Sequence, residues 1–242
     1  MTNALQDRLV VVTGASRGIG YHAALAAAKA GAHVVAIART VGGLEDLDDA
    51  IKAEGGQATL VPLDLKDMEA IDRLGAALYE RWGKLDGLIG NAGILGTISP
   101  VGHIEPKVWD EAMLINVTAN WRLLRSFDPL LRQSDAGRAV FVTSGAAQKC
   151  KPFWGAYSTT KAALNALVKT YATENVNFNI RANVFSPGPV RTAMRAQAVP
   201  GEDPNTLPTP RDVAPDLISM IFPDFNKTAQ CFDFKEKSWS DI

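Results

Sequence analysis

Short apolar runs alternate with longer amphipathic stretches along most of the chain. The runs are R-L-V-V-V-T (8–13), H-V-V-A-I-A (33–38), A-T-L-V-P-L (58–63), L-D-G-L-I-G (85–90), A-V-F-V-T (139–143) and I-R-A-N-V-F (180–185). They are rich in β-branched residues and almost uninterrupted in apolar character, as strands covered on both faces are. Between them, apolar residues recur at helical spacing and predict helices over about 18–30, up to Gly55-Gly56, and over about 67–81, 106–132 and 157–174. Strict alternation of strand and helix predicts an α/β fold, a single-domain doubly wound parallel sheet with helices on both faces. Such sheets bind ligands outside the carboxyl ends of their strands, so the residues after each run carry the candidate chemistry. From Pro187 onward the periodicity fades, and Pro200, Pro204, Pro208 and Pro210 punctuate a long loop with room for a short helix. Loops of that length are commonly functional, which predicts a substrate lid at about 190–211. The charged segment K-E-K-S-W-S-D-I reads as a short C-terminal tail at about 235–242. Without an internal repeat or a linker, residues 1–242 are expected to form one domain.

Composition narrows the function. At 242 residues and 47% hydrophobic, the chain can bury one sizeable core. A net charge of −1 with scattered lysines and arginines gives no basic stripe for nucleic acid or an anionic membrane, so a small molecule is the expected partner. Cys150 and Cys231 form no C-x-x-C pair, and His22, His33 and His103 lack metal-site spacing, so neither a disulfide framework nor a metal is expected. The N-terminus lacks a basic and apolar leader pattern, and no stretch reaches the roughly 18 apolar residues of a membrane span. A cytoplasmic chain is expected.

After the first strand comes T-G-A-S-R-G-I-G, with Gly14, Gly18 and Gly20 spaced G-x-x-x-G-x-G. A turn without side chains lets backbone approach a pyrophosphate, and the following helix N-terminus supplies free N–H donors, so this reads as the dinucleotide turn of a Rossmann fold. An acidic residue at the end of the second strand would hold a free ribose diol. That position reads Ala38-Arg39-Thr40 instead. Arg39 offers a planar fork of donors suited to phosphate and Arg17 can reach the same neighbourhood, so NADP(H) is favoured over NAD(H). The alternative is that both arginines merely solvate the rim.

The stretch Y-S-T-T-K sets Tyr157 and Lys161 four positions apart, on one face of a helix. A cation beside a phenol favours the phenolate, so Lys161 is expected to lower the Tyr157 pKa toward neutrality. The alternative is a half-buried aromatic beside a solvated lysine.

Four features in order, T-G-A-S-R-G-I-G, N-A-G (91–93), Ser144 with Y-S-T-T-K thirteen residues on, and S-P-G (186–188), resemble the short-chain dehydrogenase/reductase family, in particular its bacterial oxoacyl-carrier-protein-reductase-like branch. The resemblance spans about residues 5–233 and implies a catalytic tetrad of Asn116, Ser144, Tyr157 and Lys161. In that scheme Tyr157 is the general acid/base, Ser144 positions the carbonyl, Lys161 also bonds the nicotinamide ribose, and Asn116 holds a water linking the lysine to solvent. The implied cofactor contacts are Gly14, Ser16, Arg17, Gly18, Ile19, Gly20, Arg39, Asp64, Leu65, Asn91, Ala92, Gly93, Tyr157, Lys161, Pro187, Gly188, Val190 and Thr192. The activity implied is NADP(H)-dependent hydride transfer between nicotinamide and a carbonyl or alcohol substrate. A non-catalytic NADP-binding sensor or scaffold is the alternative. Family members use long helices as paired interfaces, which implies a homodimer or homotetramer through 106–132 and 157–174. The chain departs from the family at Gly90, where N-N-A-G is common, and at its C-terminal end, where T-A-Q-C-F-D-F replaces the usual T-G-Q and D-G-G pattern. Leu95, Gln148, Phe153 and Trp154 are expected to face the substrate, and their apolar bias leans away from a small, highly charged compound.

Overall fold

The computed structural model describes residues 3–242; Met1 and Thr2, which open the segment read above for a leader, lie outside the described residues. In chain order the elements are β1 (Leu9–Thr13), α1 (Gly18–Lys29), β2 (His33–Ala38), α2 (Val41–Ala53), β3 (Gln57–Pro62), α3 (Met68–Trp82), β4 (Gly87–Gly90), α4 (Pro106–Met113) and α5 (Ala119–Arg132). There follow β5 (Gly137–Val142), α6 (Ala146–Lys149), α7 (Gly155–Glu174), β6 (Ile180–Ser186), α8 (Ala193–Ala198), α9 (Pro210–Ser219), β7 (Gln230–Asp233) and β8 (Ser238–Asp241).

The strands form one eight-stranded sheet in the order β3-β2-β1-β4-β5-β6-β7-β8, parallel from β3 through β7. Strand order reverses between β1 and β4, and the crevice at that switch point is where such folds take a ligand. Successive residues of β1 face opposite sides: Val10 and Val12 pack with Leu44, Leu47 and Leu217 of α2 and α9, while Leu9 and Val11 pack with Ile71, Phe127 and Leu164 of α3, α5 and α7. Both faces are therefore covered, and each fully buried leucine or isoleucine contributes roughly 1.5–3 kcal/mol. Ala23, Ala24 and Ala27 of α1 are fully buried and let that helix lie close to the sheet below the glycine turn. No described helix is long and apolar enough to cross a membrane.

The structure differs from the sequence reading at several elements, among them β7, which none of the apolar runs includes. The helix expected over 106–132 is interrupted by a π-helical turn, Leu114–Thr118, between α4 and α5. A hydrophobic period near 3.6 continues through such a turn, so apolar spacing does not reveal it, and π-turns cluster at functional sites. Helix α9 follows the proline-rich loop; its Pro210 sits in the first turn, where a missing N–H costs nothing, and Thr209 and Asp212 close a capping box. Half of the segment read as a charged tail is instead strand. Residues 238–241 pair antiparallel with β7, so the sheet is not wholly parallel. Trp239 drives this, its ring 4.9 Å from Phe232 and 5.4 Å from Phe225, with the Lys227 ammonium 5.4 Å from its centroid. Four alternating residues around one tryptophan are too short a pattern to separate from a tail by periodicity. Trp239→Ala is expected to lower the unfolding free energy by about 2 kcal/mol in urea denaturation; an unchanged midpoint would mean that the segment behaves as a free tail.

Candidate functional site

The cleft begins at the turn between β1 and α1. Gly14 and Gly18 adopt φ of 66° and 60°, the left-handed region that glycine enters without strain. At Gly20 space is the constraint, because a Cβ there would lie 2.3 Å from the Gly14 carbonyl oxygen. The N-terminus of α1 has no side-chain cap and no acidic residue in its first turn, which leaves its backbone donors for a ligand. Ser16, Arg17 and Ile19 line the cleft beside it, and Arg39 follows β2 on the same rim.

The turn is fixed from below by β4. The Thr13 hydroxyl accepts from the backbone N–H groups of Asn91 and Ala92, both at 3.0 Å. The Asn91 carboxamide donates to the Thr13 and Gly14 carbonyls at 2.9 and 3.3 Å. Asn91 lines the cleft, yet its amide is committed to holding the glycine turn. At the preceding position a Cβ on Gly90 would lie 2.2 Å from the Phe141 ring, so Phe141 fills the space that a side chain would occupy.

At the other end, β5 runs out into Ser144, and α7 carries Tyr157 and Lys161. The Ser144 hydroxyl accepts from the Ala146 N–H at 3.1 Å and also faces the Tyr157 phenol. Lys161 is 3% exposed; its ammonium donates to the Val142 carbonyl at 2.8 Å and lies 5.6 Å from the centroid of the Tyr157 ring. The two residues are thus neighbours, but the expected depression of the tyrosine pKa is not found. Burial pushes the phenol up to about 12, and the Ser144 hydrogen bond draws it back only partly. Burial also lowers Lys161 to about 8. Desolvation outweighs the attraction between them, because both charged forms lose water and the ammonium is directed at a carbonyl.

Asn116 sits in the π-turn and is fully buried. Its carboxamide oxygen accepts from the Ile94 N–H at 2.8 Å, and its nitrogen donates to the Ile94 carbonyl at 2.8 Å and to the Thr160 hydroxyl at 3.0 Å. Its main-chain carbonyl accepts from the Asn120 carboxamide at 2.8 Å. Both amide hydrogens are therefore in use, and the side chain braces the loop after β4 against helix α7. A Cβ on Gly93 would lie 3.1 Å from the Asn116 oxygen and 3.6 Å from the Lys161 nitrogen, so the brace passes directly beneath the cleft floor.

One continuous cleft of about 1070 Å³ joins these parts. Besides the residues named, Asp64, Leu65, Ala92, Gly93, Pro187, Gly188, Val190 and Thr192 line it, while Gly20 and Asn116 lie behind its walls. A family model for the short chain dehydrogenases matches residues 8–203. The chain belongs to that family. It is 38% identical over 233 residues to YciK, an uncharacterized oxidoreductase of Escherichia coli K12, across 95% of this chain and 92% of that protein. A short chain dehydrogenase from Shigella flexneri, solved with NADP, superposes with a TM-score of 0.92 at 38% identity, covering 96% of this chain and 99% of that one. A second, from E. coli CFT073 and solved with NADPH, gives 0.90 at 36% identity, over 96% and 99% of the two chains.

This short chain dehydrogenase is an NAD(P)-dependent oxidoreductase, and its cleft suits the cofactor. The unfilled N-terminus of α1 can receive a pyrophosphate, and Arg17 and Arg39 line the rim next to it. The substrate end differs from the expectation. Leu95 and Trp154 line the cleft, Trp154 edge-on to Tyr157 with ring centroids 6.0 Å apart, but Gln148 and Phe153 do not. Phe153 is 54% exposed, turned outward by a φ of 73°. Lys149, Lys151, Met194 and Arg195 line the cleft in their place. Helical spacing from Tyr157 could not find the two lysines, because α6 ends at Lys149 and a tight turn follows.

Lys161 makes the site's electrostatics measurable. Its pKa is lower in the folded protein, about 8, than its ordinary value of 10.5, so between those values the unfolded chain binds more protons and stability rises with pH. The stability of the protein relative to Lys161→Met is expected to increase from pH 8 to 10.5 by an amount on the order of 3 kcal/mol, read by urea denaturation across that range. A difference that stays flat or falls would mean that the ammonium is not desolvated.

Proposed function

We propose that this short chain dehydrogenase reduces a carbonyl compound using NADPH, with Tyr157 as the general acid. The observation that carries the reading is the phenol of Tyr157, held protonated by burial, facing Ser144 at the far end of a cleft that starts at an uncapped helix N-terminus. Reduced nicotinamide, when bound, supplies the hydride. Tyr157 and Ser144 then direct their hydroxyl hydrogens at the carbonyl oxygen, stabilise its developing charge, and Tyr157 gives up the proton. A phenol near 12 is in the acid form throughout the neutral range, which suits the reducing direction. Lys161 sits behind the phenol and would bond the nicotinamide ribose. Asn116 positions both through Thr160 and Ile94. Pro187, Gly188, Val190 and Thr192, which line the cleft, would border the nicotinamide, and Asp64 and Leu65 the adenine. Residues 190–211 act as the lid, with Arg195 of α8 tied to Glu202 by bonds of 2.5 and 2.6 Å.

The preference for NADP(H) rests on Arg39 and Arg17 on the rim, on the lack of a carboxylate at the end of β2, and on relatives solved with NADP and NADPH. NADPH is expected to bind at least about tenfold more tightly than NADH, or about 1.4 kcal/mol. Calorimetry with both cofactors decides it; equal affinities, or a preference for NADH that survives Arg39→Ala, would remove the arginine from the reading.

The catalytic roles separate in two variants. Tyr157→Phe keeps the ring and its packing but loses the proton, so turnover is expected to fall by about 10²–10⁴-fold with NADPH affinity nearly unchanged. Lys161→Ala is expected to weaken both. Turnover on any reduced ketone and NADPH fluorescence measure the two quantities, and a Tyr157→Phe protein retaining more than about a tenth of its activity would exclude the phenol as the acid.

A further inference from the structure

The cleft carries two separate groups of cations. Asp64, on the adenosine side, is the one carboxylate among its lining residues. Arg17 and Arg39 are at that same end, where the cofactor's own phosphates account for them. Lys149 and Lys151 are at the other end, beside Ser144 and Trp154, where a nicotinamide carries no anion. Lys29, Lys52, Lys66, Lys84, Lys235 and Lys237 each hold a carboxylate, Lys161 and Lys169 donate to main-chain oxygens, Lys227 lies over the Trp239 ring, and Lys107 does not line the cleft. Among the described residues, the ammonium groups of Lys149 and Lys151 hold neither a carboxylate nor a hydrogen-bond acceptor. Nearby groups do not supply one. Glu236 feels the charge of Lys149 but is paired with Lys235 at 2.9 Å, Arg195 has taken Glu202, and Arg191 donates to Asn205 at 3.1 Å.

The loop that presents the lysines is built rather than slack. Lys149 folds back so that its nitrogen lies 3.7 Å from where a Cβ on Gly145 would be, one residue past Ser144. Cys150 and Phe153 both hold left-handed backbone, at φ of 41° and 73°, a strain that persists only where the surroundings impose it. The surroundings do so through the Ser99 N–H, which donates to the Phe153 carbonyl at 2.9 Å in a bridge between Ser99 and Trp154. That bridge fixes Trp154 against Tyr157 and sets Lys149 and Lys151 along the same wall.

We infer that Lys149 and Lys151 form an anion subsite and that the substrate is a carbonyl compound bearing a carboxylate or phosphate, its apolar middle against Trp154 and Leu95. This rests on the carbonyl-reductase reading above. The lysines recognise charge remote from the reacting carbon, so they act on substrate binding and through it on kcat/KM.

The test uses ketones paired by charge: 4-oxopentanoate with its methyl ester, and 4-acetylbenzoate with its methyl ester, assayed by NADPH oxidation. The acid is expected to exceed its ester in kcat/KM by about tenfold at low salt, mainly through KM, and the ratio to shrink as salt is raised. Lys149→Met/Lys151→Met brings the ratio toward one and Lys149→Glu/Lys151→Glu inverts it, while NADPH affinity reports that both variants are folded. 4-Acetylphenyl phosphate separates the two sources: a larger gain than for 4-acetylbenzoate assigns a phosphate, a smaller one a carboxylate. A ratio near one in the wild type, or one unchanged in the double variants, overturns the subsite. If no ketone is reduced, the oxidoreductase chemistry has failed separately, and calorimetric titration of the NADP-loaded protein with the same acids still decides. Binding lost in Lys149→Met/Lys151→Met supports the subsite, and no binding by the wild type overturns it.

Discussion

The carboxamide of Asn116 joins three parts of the molecule, the π-turn, the loop after β4 and helix α7. It reads both backbone groups of Ile94 in the loop after β4 and reaches Thr160 in α7, one residue before Lys161. It can do so because the helix widens at 114–118, which turns Asn116 inward and releases its carbonyl to Asn120. A buried polar group of this kind is costly unless every hydrogen finds a partner, and here each one does. The position of the loop over the cleft floor and that of the lysine behind the phenol are therefore set by the same side chain. Thr160 extends the chain of contacts by donating to the Tyr157 carbonyl at 2.9 Å.

Burial decides the electrostatics above that brace. Proximity alone argues that Lys161 should make Tyr157 more acidic, whereas the structure places both in an environment that penalises either charge. What the arrangement offers is a neutral phenol with a weakly held ammonium behind it.

Much of the architecture is legible in the order of residues. Short, β-branched, near-continuous apolar runs such as L-V-V-V-T read as strands covered on both sides, and the glycines at 14, 18 and 20 sit at the turn that follows the first of them. The glycine turn, Ser144, Tyr157 and Lys161 share one cleft, although their spacing in sequence says nothing of that by itself. The illegible parts have specific causes. The π-turn leaves the hydrophobic period intact, β8 is four residues around a single tryptophan, and Lys149 and Lys151 face the cleft through a turn whose left-handed residues are cysteine and phenylalanine rather than the glycine or asparagine that would announce it. Gly90, the departure from the family's N-N-A-G, leaves the space into which Phe141 packs.

The antiparallel pairing of β8 with β7 also governs how this sheet can meet other proteins. A parallel sheet ending at β7 would present unpaired N–H and C=O groups beside Cys231 and Phe232, a template on which any extended chain could add a strand. With β8 in place, the outermost strand is only four residues long, its side chains largely serine hydroxyls and the Asp241 carboxylate, with Lys237 at its entry. The far margin, β3, ends at Pro62, which has no N–H to give. Strand addition is blunted at both margins, so a protein approaching this one must recognise side chains on helices and loops rather than borrow its backbone.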